Sequence, residues 1–201
     1  MTDNYEIIPA PEEIASVNPP AKWLRYLFYI HIANIALTPA TLIFLDNPIT
    51  PWIGYIMSAG IAVCLFFLAP ACHRYRTAAI LTAVHIGLTV LSPLGLTNLL
   101  TMAASILSII AAYQEFHGHA EVVEAKDPRL ARKWCRLFVW QIIIGLIAGF
   151  SSVAAVVIMV LADIAQDQIV AWTAGAVLLV GLIPGILYLL YLRETIKHFE
   201  E

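Results

Sequence analysis

Apolar runs separated by short polar segments follow one another along almost the whole chain. Each run approaches the roughly 20 helical residues that cross a hydrocarbon core. The third run is the shortest, and the turn-forming segment 92–95 separates it from the fourth. The pattern therefore predicts an all-α, polytopic membrane protein with six transmembrane helices. The predicted spans are residues 23–45, 52–69, 77–91, 96–113, 134–162 and 170–192.

The charges orient these spans. All eleven Lys and Arg residues lie in segments that fall on a single side of the membrane, and the three intervening loops contain none. An excess of Lys and Arg in short loops marks the cytoplasmic face, so both termini are predicted to be cytoplasmic. The basic segments are Lys22/Arg25, Arg74/Arg76, Lys126/Arg129/Arg132/Lys133/Arg136 and Arg193/Lys197.

Composition excludes a soluble globular domain. Hydrophobic residues make up 61% of the chain and charged residues only 12%, against about half and about a quarter in such domains. The net charge of −3, with cations dispersed at the span ends, argues against a nucleic-acid partner and for the lipid bilayer as partner. Cys64 lies in a span, while Cys72 and Cys135 lie on the reducing cytoplasmic side, so no disulfide framework is expected.

The chain is predicted to form one transmembrane domain, residues 22–201, after a polar, proline-rich tail, residues 1–21, that we expect to be mobile and cytoplasmic. The largest extramembrane segment is the predicted cytoplasmic loop 114–133. Its first half is expected to prolong the fourth helix. Asp127 followed by Pro128 is typical of an N-cap that opens the fifth helix.

The first and fifth spans begin alike. Lys22-Trp23-Leu24-Arg25 parallels Lys133-Trp134-Cys135-Arg136, and each is followed by a long span and an acidic outer loop. This similarity favours a duplicated helical hairpin, in which spans one and two correspond to spans five and six. Interfacial Lys and Trp that only anchor helices are the alternative explanation.

Three spans carry polar side chains at steps of three or four residues, which place each set on one helix face. We call these faces polar seams. Either they hydrogen-bond the helices together, or they line a polar path through the bundle. The seams are His31, Asn34, Thr38 and Thr41; Thr82, His85, Thr89 and Ser92; and Asn98, Thr101, Ser105 and Ser108. A path would use His31, Asn34, Thr38, Thr82, His85 and Thr89.

His31 and His85 each lie nine residues after a cytoplasmic cation, Lys22 and Arg76, in helices that run the same way. Both are therefore placed about 13 Å into the membrane, and we expect them to be neighbours. Two neutral imidazoles could relay a proton or bind a haem iron as axial ligands. Structural histidines held by hydrogen bonds are the alternative.

Small residues recur in the last two spans. Gly145 and Gly149, and likewise Gly181 and Gly185, are four residues apart, a spacing that lets helix backbones approach closely. The motifs predict tight helix pairs, either within one chain or between subunits of a homo- or hetero-oligomer. Leucine at Gly149 or Gly185 is accordingly expected to be destabilising.

Several potential metal ligands lie on the predicted cytoplasmic side. On a helix, Glu115 and His119 would share one face, while His117, Glu121 and Glu124 would share another. A zinc site is one hypothesis, although no Cys-x-x-Cys or His-Glu-x-x-His spacing supports it. A solvated helix with His and Glu pairs is the other. The candidate ligands are Cys72, His73, His117, His119 and Cys135.

The stretch Tyr113-Gln-Glu-Phe-His-Gly-His-Ala-Glu-Val-Val-Glu, followed by Asp127, Leu130 and Lys133-Trp134, resembles small uncharacterised bacterial multi-pass membrane proteins. In these proteins a helix leaves the membrane through a Glu/His segment and re-enters at a Lys-Trp pair. The resemblance covers about residues 113–136. It implies a bacterial plasma membrane and the hairpin arrangement, and it implies no function.

No catalytic motif is present: the carboxylates form no acid–base pair, and no nucleophile has a matched base and oxyanion loop. We therefore expect no enzymatic activity and no cofactor. The first hypothesis is an integral membrane scaffold or accessory subunit. The second is a small transporter or proton-coupled channel that uses the polar path. The third is a haem- or metal-binding membrane protein.

Overall fold

The computed structural model describes residues 20–43, 49–91, 97–162 and 166–200, and these residues form six α-helices. The all-α prediction is confirmed. The tail predicted over residues 1–21 falls almost entirely outside the described residues. The helices are α1 (Pro20–Ile43), α2 (Thr50–Leu68), α3 (His73–Leu91), α4 (Thr97–Glu124), α5 (Pro128–Ala162) and α6 (Gln166–Glu200).

Three of the described segments are long and apolar enough to cross a membrane: Thr50–Leu68, Leu99–Glu124 and Pro128–Ser151. They indicate a membrane protein. The helix surfaces agree with a lipid environment, because large apolar side chains such as Leu99 and Phe150 are exposed on them.

The loop predicted over residues 114–133 is mostly helix. α4 continues to Glu124 and α5 begins at Pro128, so the connection consists only of residues 125–127. With 28 residues, α4 is about 42 Å long. It therefore exceeds the thickness of a hydrocarbon core, about 30 Å.

The predicted N-cap of α5 is present. Asp127 Oδ1 accepts hydrogen bonds from the backbone N–H groups of Arg129 at 2.9 Å and Leu130 at 3.0 Å, and Pro128 is the first helical residue. The hydrogen bond from the Leu130 N–H is the main reason why the pKa of Asp127 lies below its usual range.

The helices pack as a closed ring. Each helix contacts the next one in sequence, and α1 contacts α6, which closes the ring. In addition, α4 contacts α6 across the middle of the ring. The buried core lies at the end of this ring that carries the basic residues. Nearly fully buried there are Leu24, Leu27, Leu65, Leu68, Tyr75, Val123, Leu130, Trp134 and Leu192.

Candidate functional site

A cavity of about 480 Å³ lies between α1, α4, α5 and α6. Its volume is typical of small-molecule sites, which measure about 300–1,000 Å³. All four helices contribute polar side chains to its wall. These are His31, Asn34 and Thr38 from α1, Glu115 from α4, Gln141 from α5 and Tyr188 from α6.

Glu115 is the acidic group of the cavity, and only 12% of its side chain is exposed. Its Oε1 accepts a hydrogen bond from the Tyr188 hydroxyl. The same oxygen lies 3.8 Å from Nε2 of both His31 and His119. Every Lys and Arg of the chain lies in the described residues, and none of them lines the cavity. The carboxylate therefore has no permanently charged partner there.

His119 connects Glu115 to α3 through a chain of hydrogen bonds. Its Nδ1 lies 2.9 Å from the Tyr75 hydroxyl and its Nε2 lies 3.2 Å from the Tyr188 hydroxyl. Because Tyr188 donates its hydrogen to Glu115, its oxygen accepts one from His119 Nε2–H. His119 Nδ1 is then the acceptor for Tyr75. Every donor in the chain is thus directed toward Glu115, and together with His31 these residues form the Glu115 network.

Packing fixes the His119 ring. The Trp134 indole stacks on it with ring centroids 4.5 Å apart, and Trp134 Nε1 donates a hydrogen bond to Thr195 Oγ1 at 3.1 Å. Gly118 allows Tyr75 to approach α4, because a Cβ at this position would lie 3.0 Å from Tyr75 Cε1. The hydrogen-bond geometry therefore depends on side chains from α3, α5 and α6.

His31 belongs both to the Glu115 network and to the wall of the cavity. Its ring centroid is 4.3 Å from that of Tyr188. Its Nε2 is buried and has no hydrogen-bond partner among the described residues. A buried polar atom without a partner costs about 1–3 kcal/mol, so a proton or ligand that engages this nitrogen is stabilised there.

The expectation that His31 and His85 are neighbours is not met. His85 Nδ1 lies 2.9 Å from the carbonyl oxygen of Ala104 on α4, whereas His31 lies beside Glu115, eleven residues further along that helix. The separation along the helix axis is about 16 Å. A haem iron shared by both imidazoles and a direct relay between them do not fit this arrangement.

The six residues predicted to line a polar path divide into two groups. His31, Asn34 and Thr38 line the cavity, whereas Thr82, His85 and Thr89 of α3 are not among its lining residues.

Several hydroxyls of the polar seams bond to carbonyls of their own helix, which satisfies them without a partner helix. These bonds join Thr38 to Asn34, Thr89 to His85, Ser105 to Thr101 and Ser108 to Ser105. The side chains of Thr41, Ser92 and Asn98 lie outside the described part of the chain.

The predicted packing glycines have different surroundings. A Cβ at Gly185 would lie 3.1 Å from Ile35 Cδ1, so α6 and α1 approach closely there. A Cβ at Gly145 or Gly149 would meet no described atom within 4 Å, so these two residues make no tight helix contact with the described part of the chain. Gly145 borders the cavity instead. The surroundings of Gly181 lie outside the described residues.

Two of the predicted metal ligands come together. The ligand atoms of Cys72, His73 and Glu121 all lie within 4.8 Å of one another. Burial raises the pKa of the Cys72 thiol, so a zinc ion would have to displace its proton. The ion would also compete with Arg74, whose Nε lies 2.8 Å from Glu121 Oε2. These three residues could hold a metal only by breaking that ion pair.

The other three predicted ligands lie elsewhere. His117 and Cys135 line a second cavity, of about 430 Å³, together with Glu121 and Glu124. His119 belongs to the Glu115 network. The five residues named from the sequence therefore do not form one site.

Glu115, Tyr188 and Tyr75 are site residues that were not predicted from the sequence. One signal was available, because Glu115 and His119 are four residues apart and share a helix face. That pair was also consistent with a solvated helix. Its burial depends on contacts with α1, α3 and α6, which no local pattern specifies.

No protein-family model, curated protein or solved structure matches the chain. The function is therefore inferred from the site itself.

Proposed function

We propose that the chain is a small proton-coupled membrane transporter in which Glu115, with His31 and His119, binds the proton. The observation that carries the proposal is a largely buried carboxylate that faces a cavity between four helices, with two imidazoles but no Lys or Arg beside it. Ionisable residues are costly inside a membrane and mark ion or proton routes. Histidine changes its charge near neutral pH.

Proton binding changes the charge of the Glu115 network. With both imidazoles neutral, the network carries the negative charge of Glu115. A proton on either imidazole, 3.8 Å from Oε1, forms an ion pair without net charge. Removing net charge lowers the cost of keeping the site away from water. We therefore expect the protonated network to favour a closed cavity and the deprotonated network an open one.

The chain of hydrogen bonds gives a proton a route to Glu115 from α3. A proton can pass from Tyr75 to His119 Nδ1 while His119 Nε2–H passes to Tyr188 and the Tyr188 hydrogen passes to Glu115. Water at the basic end of the bundle would then return a proton to the Tyr75 oxygen. This route runs from the first turn of α3 to Glu115, and the reverse transfers would carry a proton from Glu115 back to α3.

The proposal places all six helices across a plasma membrane, with both termini in the cytoplasm. It is supported by the basic residues, which lie at the end of the bundle that holds the α2–α3 and α4–α5 connections and the end of α6. In this orientation, the cavity extends from Glu115 toward the outer half of the membrane, where Thr38 and Ala148 line it.

Tags and thiol reagents test this topology. We expect tags at either terminus, and reagents directed at Cys72 or Cys135, to report the cytoplasm, because all cations lie on that side. Probes at Asn47, Leu94 or Gln166 should report the outside. A C-terminal tag accessible from outside would contradict both the orientation and the number of spans.

Proton movement into liposomes tests the function. In vesicles that contain purified protein and a pH-sensitive dye, an imposed membrane potential should drive a proton flux that Glu115→Gln lowers by on the order of 10-fold or more, because an amide does not titrate. His31→Gln should lower it for the same reason. Glu115→Gln keeps the side-chain shape, so its thermal stability shows whether the fold is intact.

Two variants are matched controls for this flux. His85→Gln changes an imidazole that binds the Ala104 carbonyl, and Glu124→Gln changes an exposed acid on the same helix as Glu115. Both should retain the wild-type flux. A flux that is absent in the wild type, or equal in Glu115→Gln and Glu124→Gln, would contradict the proposal.

A second candidate function is that of a scaffold or accessory subunit in a homo- or hetero-oligomer. It is favoured by the open surroundings of Gly149 on α5, which lies beside the exposed Leu146, Phe150 and Val153. A small residue on an exposed helix face permits close approach of a helix from another subunit. Neither candidate function involves a catalytic step or a resident cofactor.

A further inference from the structure

We infer that the cavity between α1, α4, α5 and α6 binds a small organic cation, for which the Glu115 carboxylate is the counter-ion. The inference rests on the proposed function, because it takes Glu115 as the proton-binding group. It adds the class of solute that competes with the proton.

Charge determines the class of ligand. Lys and Arg are absent from the cavity wall. Three other carboxylates among the described residues form ion pairs with Lys or Arg, whereas Glu115 forms none. These three are Glu121, Glu194 and Glu200. An anion in the cavity would meet the charge of Glu115 without a compensating cation. A neutral solute would leave that charge unchanged. A cation supplies the partner that the site lacks.

The shape and chemistry of the wall favour an organic cation over a metal ion. The rings of His31, Phe116 and Tyr188 line the cavity, and aromatic faces attract alkylammonium groups. Among the described residues that line the cavity, Glu115 is the one carboxylate, whereas hard metal cations take several oxygen ligands. The amide oxygens of Asn34 and Gln141 can accept hydrogen bonds from a hydroxyl or N–H group of the ligand.

The cation and the proton compete for the same carboxylate. When an imidazole of the network is protonated, it occupies the position of counter-ion, and the cation is repelled. Binding of the cation should therefore release a proton to water, and affinity should fall as the pH is lowered. Besides Glu115, the titratable groups that face the site are His31 of α1, Tyr75 of α3, His119 of α4 and Tyr188 of α6, and Cys64 of α2 lies near Tyr188. From α5, the described residues Trp134 and Gln141 lie beside the site, and both are uncharged.

Choline and its neutral isostere 3,3-dimethyl-1-butanol form a matched pair of probes. In calorimetric titrations of the detergent-purified full chain, we expect choline to bind at least about 10-fold more tightly than the alcohol, since only choline carries the charge. Titrations in buffers of different ionisation enthalpy should show proton release. Affinity for choline should fall by on the order of 10-fold between about pH 8 and about pH 5.5, because a proton bound by the Glu115 network competes with the cation.

Variants locate the binding. Glu115→Gln should abolish the difference between choline and the alcohol, whereas Glu124→Gln should preserve it. Equal affinity for the two probes, no binding of either, or choline affinity that is unchanged in Glu115→Gln would overturn the inference. The pH dependence of choline affinity is measured on the wild type, so it tests the inference even if Glu115→Gln fails to fold. A choline affinity that does not change with pH would also overturn the inference.

The two proposals fail separately. If Glu115-dependent proton flux is present but choline does not bind, the inference is wrong and the proposed function stands. If choline binds and releases a proton, but neither a membrane potential nor a choline gradient drives a Glu115-dependent proton flux in liposomes, the cation site stands and the transport function is wrong.

Discussion

Replacing Trp134 with alanine is expected to lower the free energy of unfolding by about 3–5 kcal/mol, the usual cost of truncating a fully buried tryptophan. Trp134 is completely buried and stacks on His119. Its ring also packs edge-on against Tyr188 and Tyr191. Truncation removes these contacts together with the hydrogen bond to Thr195, and the surrounding helices can close the resulting space only in part.

Unfolding in detergent, followed by circular dichroism, measures this loss. Trp140→Ala is the matched control, because Trp140 lies on the same helix but is 59% exposed. Its removal should change stability by less than about 1 kcal/mol. Equal losses in the two variants would show that Trp134 does not pack as described. Trp134→Phe, which keeps an aromatic ring but loses the donor, should lie between wild type and Trp134→Ala.

Leucine at Gly145 is expected to reduce choline binding by on the order of 10-fold or more, equivalent to about 1.4 kcal/mol. Gly145 borders the cavity, and a Cβ built on it meets nothing within 4 Å. A leucine side chain at this position is therefore expected to extend into the cavity. It would occupy space that the ligand needs while leaving the helix packing intact.

Gly149→Leu is the control for this prediction. Gly149 lies one helical turn away and is not among the residues that line the cavity, yet its surroundings are equally open. We expect both variants to retain wild-type thermal stability as monomers, and only Gly145→Leu to lose binding. Retained binding in Gly145→Leu, or the same loss in both variants, would place the ligand elsewhere. Lower stability of Gly149→Leu in an oligomer would instead indicate a subunit contact.

The helices were predictable because apolar run length and cap chemistry are local properties. The predicted fifth span began at Trp134, inside α5 (Pro128–Ala162), and the Asp127-Pro128 pair marked the helix start itself. The continuation of α4 was expected over the first half of the predicted loop, Gln-Glu-Phe-His-Gly-His-Ala-Glu, and the helix extends three residues further, to Glu124. Its Glu and His residues hid the fact that one face of this polar segment is buried.

The site was not predictable from local patterns because it depends on the order of helices around the ring. Similar depth in the membrane suggested that His31 and His85 were neighbours, but depth is only one coordinate of three. α1 packs between α2 and α6, whereas His85 of α3 bonds to α4. Glu115 and Tyr188 are 73 residues apart in sequence, and only the contact between α4 and α6 brings them together.

The uneven distribution of the buried core has a mechanical consequence. Among the described residues, the core is concentrated at the basic end of the bundle, so the helices are joined tightly at that end. If such helices tilt relative to one another, their displacement grows with the distance from the packed end. The Gly185–Ile35 contact lies beside the cavity and can serve as a pivot between α1 and α6. A small rotation there would widen the outer part of the cavity while the Glu115 network stays almost fixed.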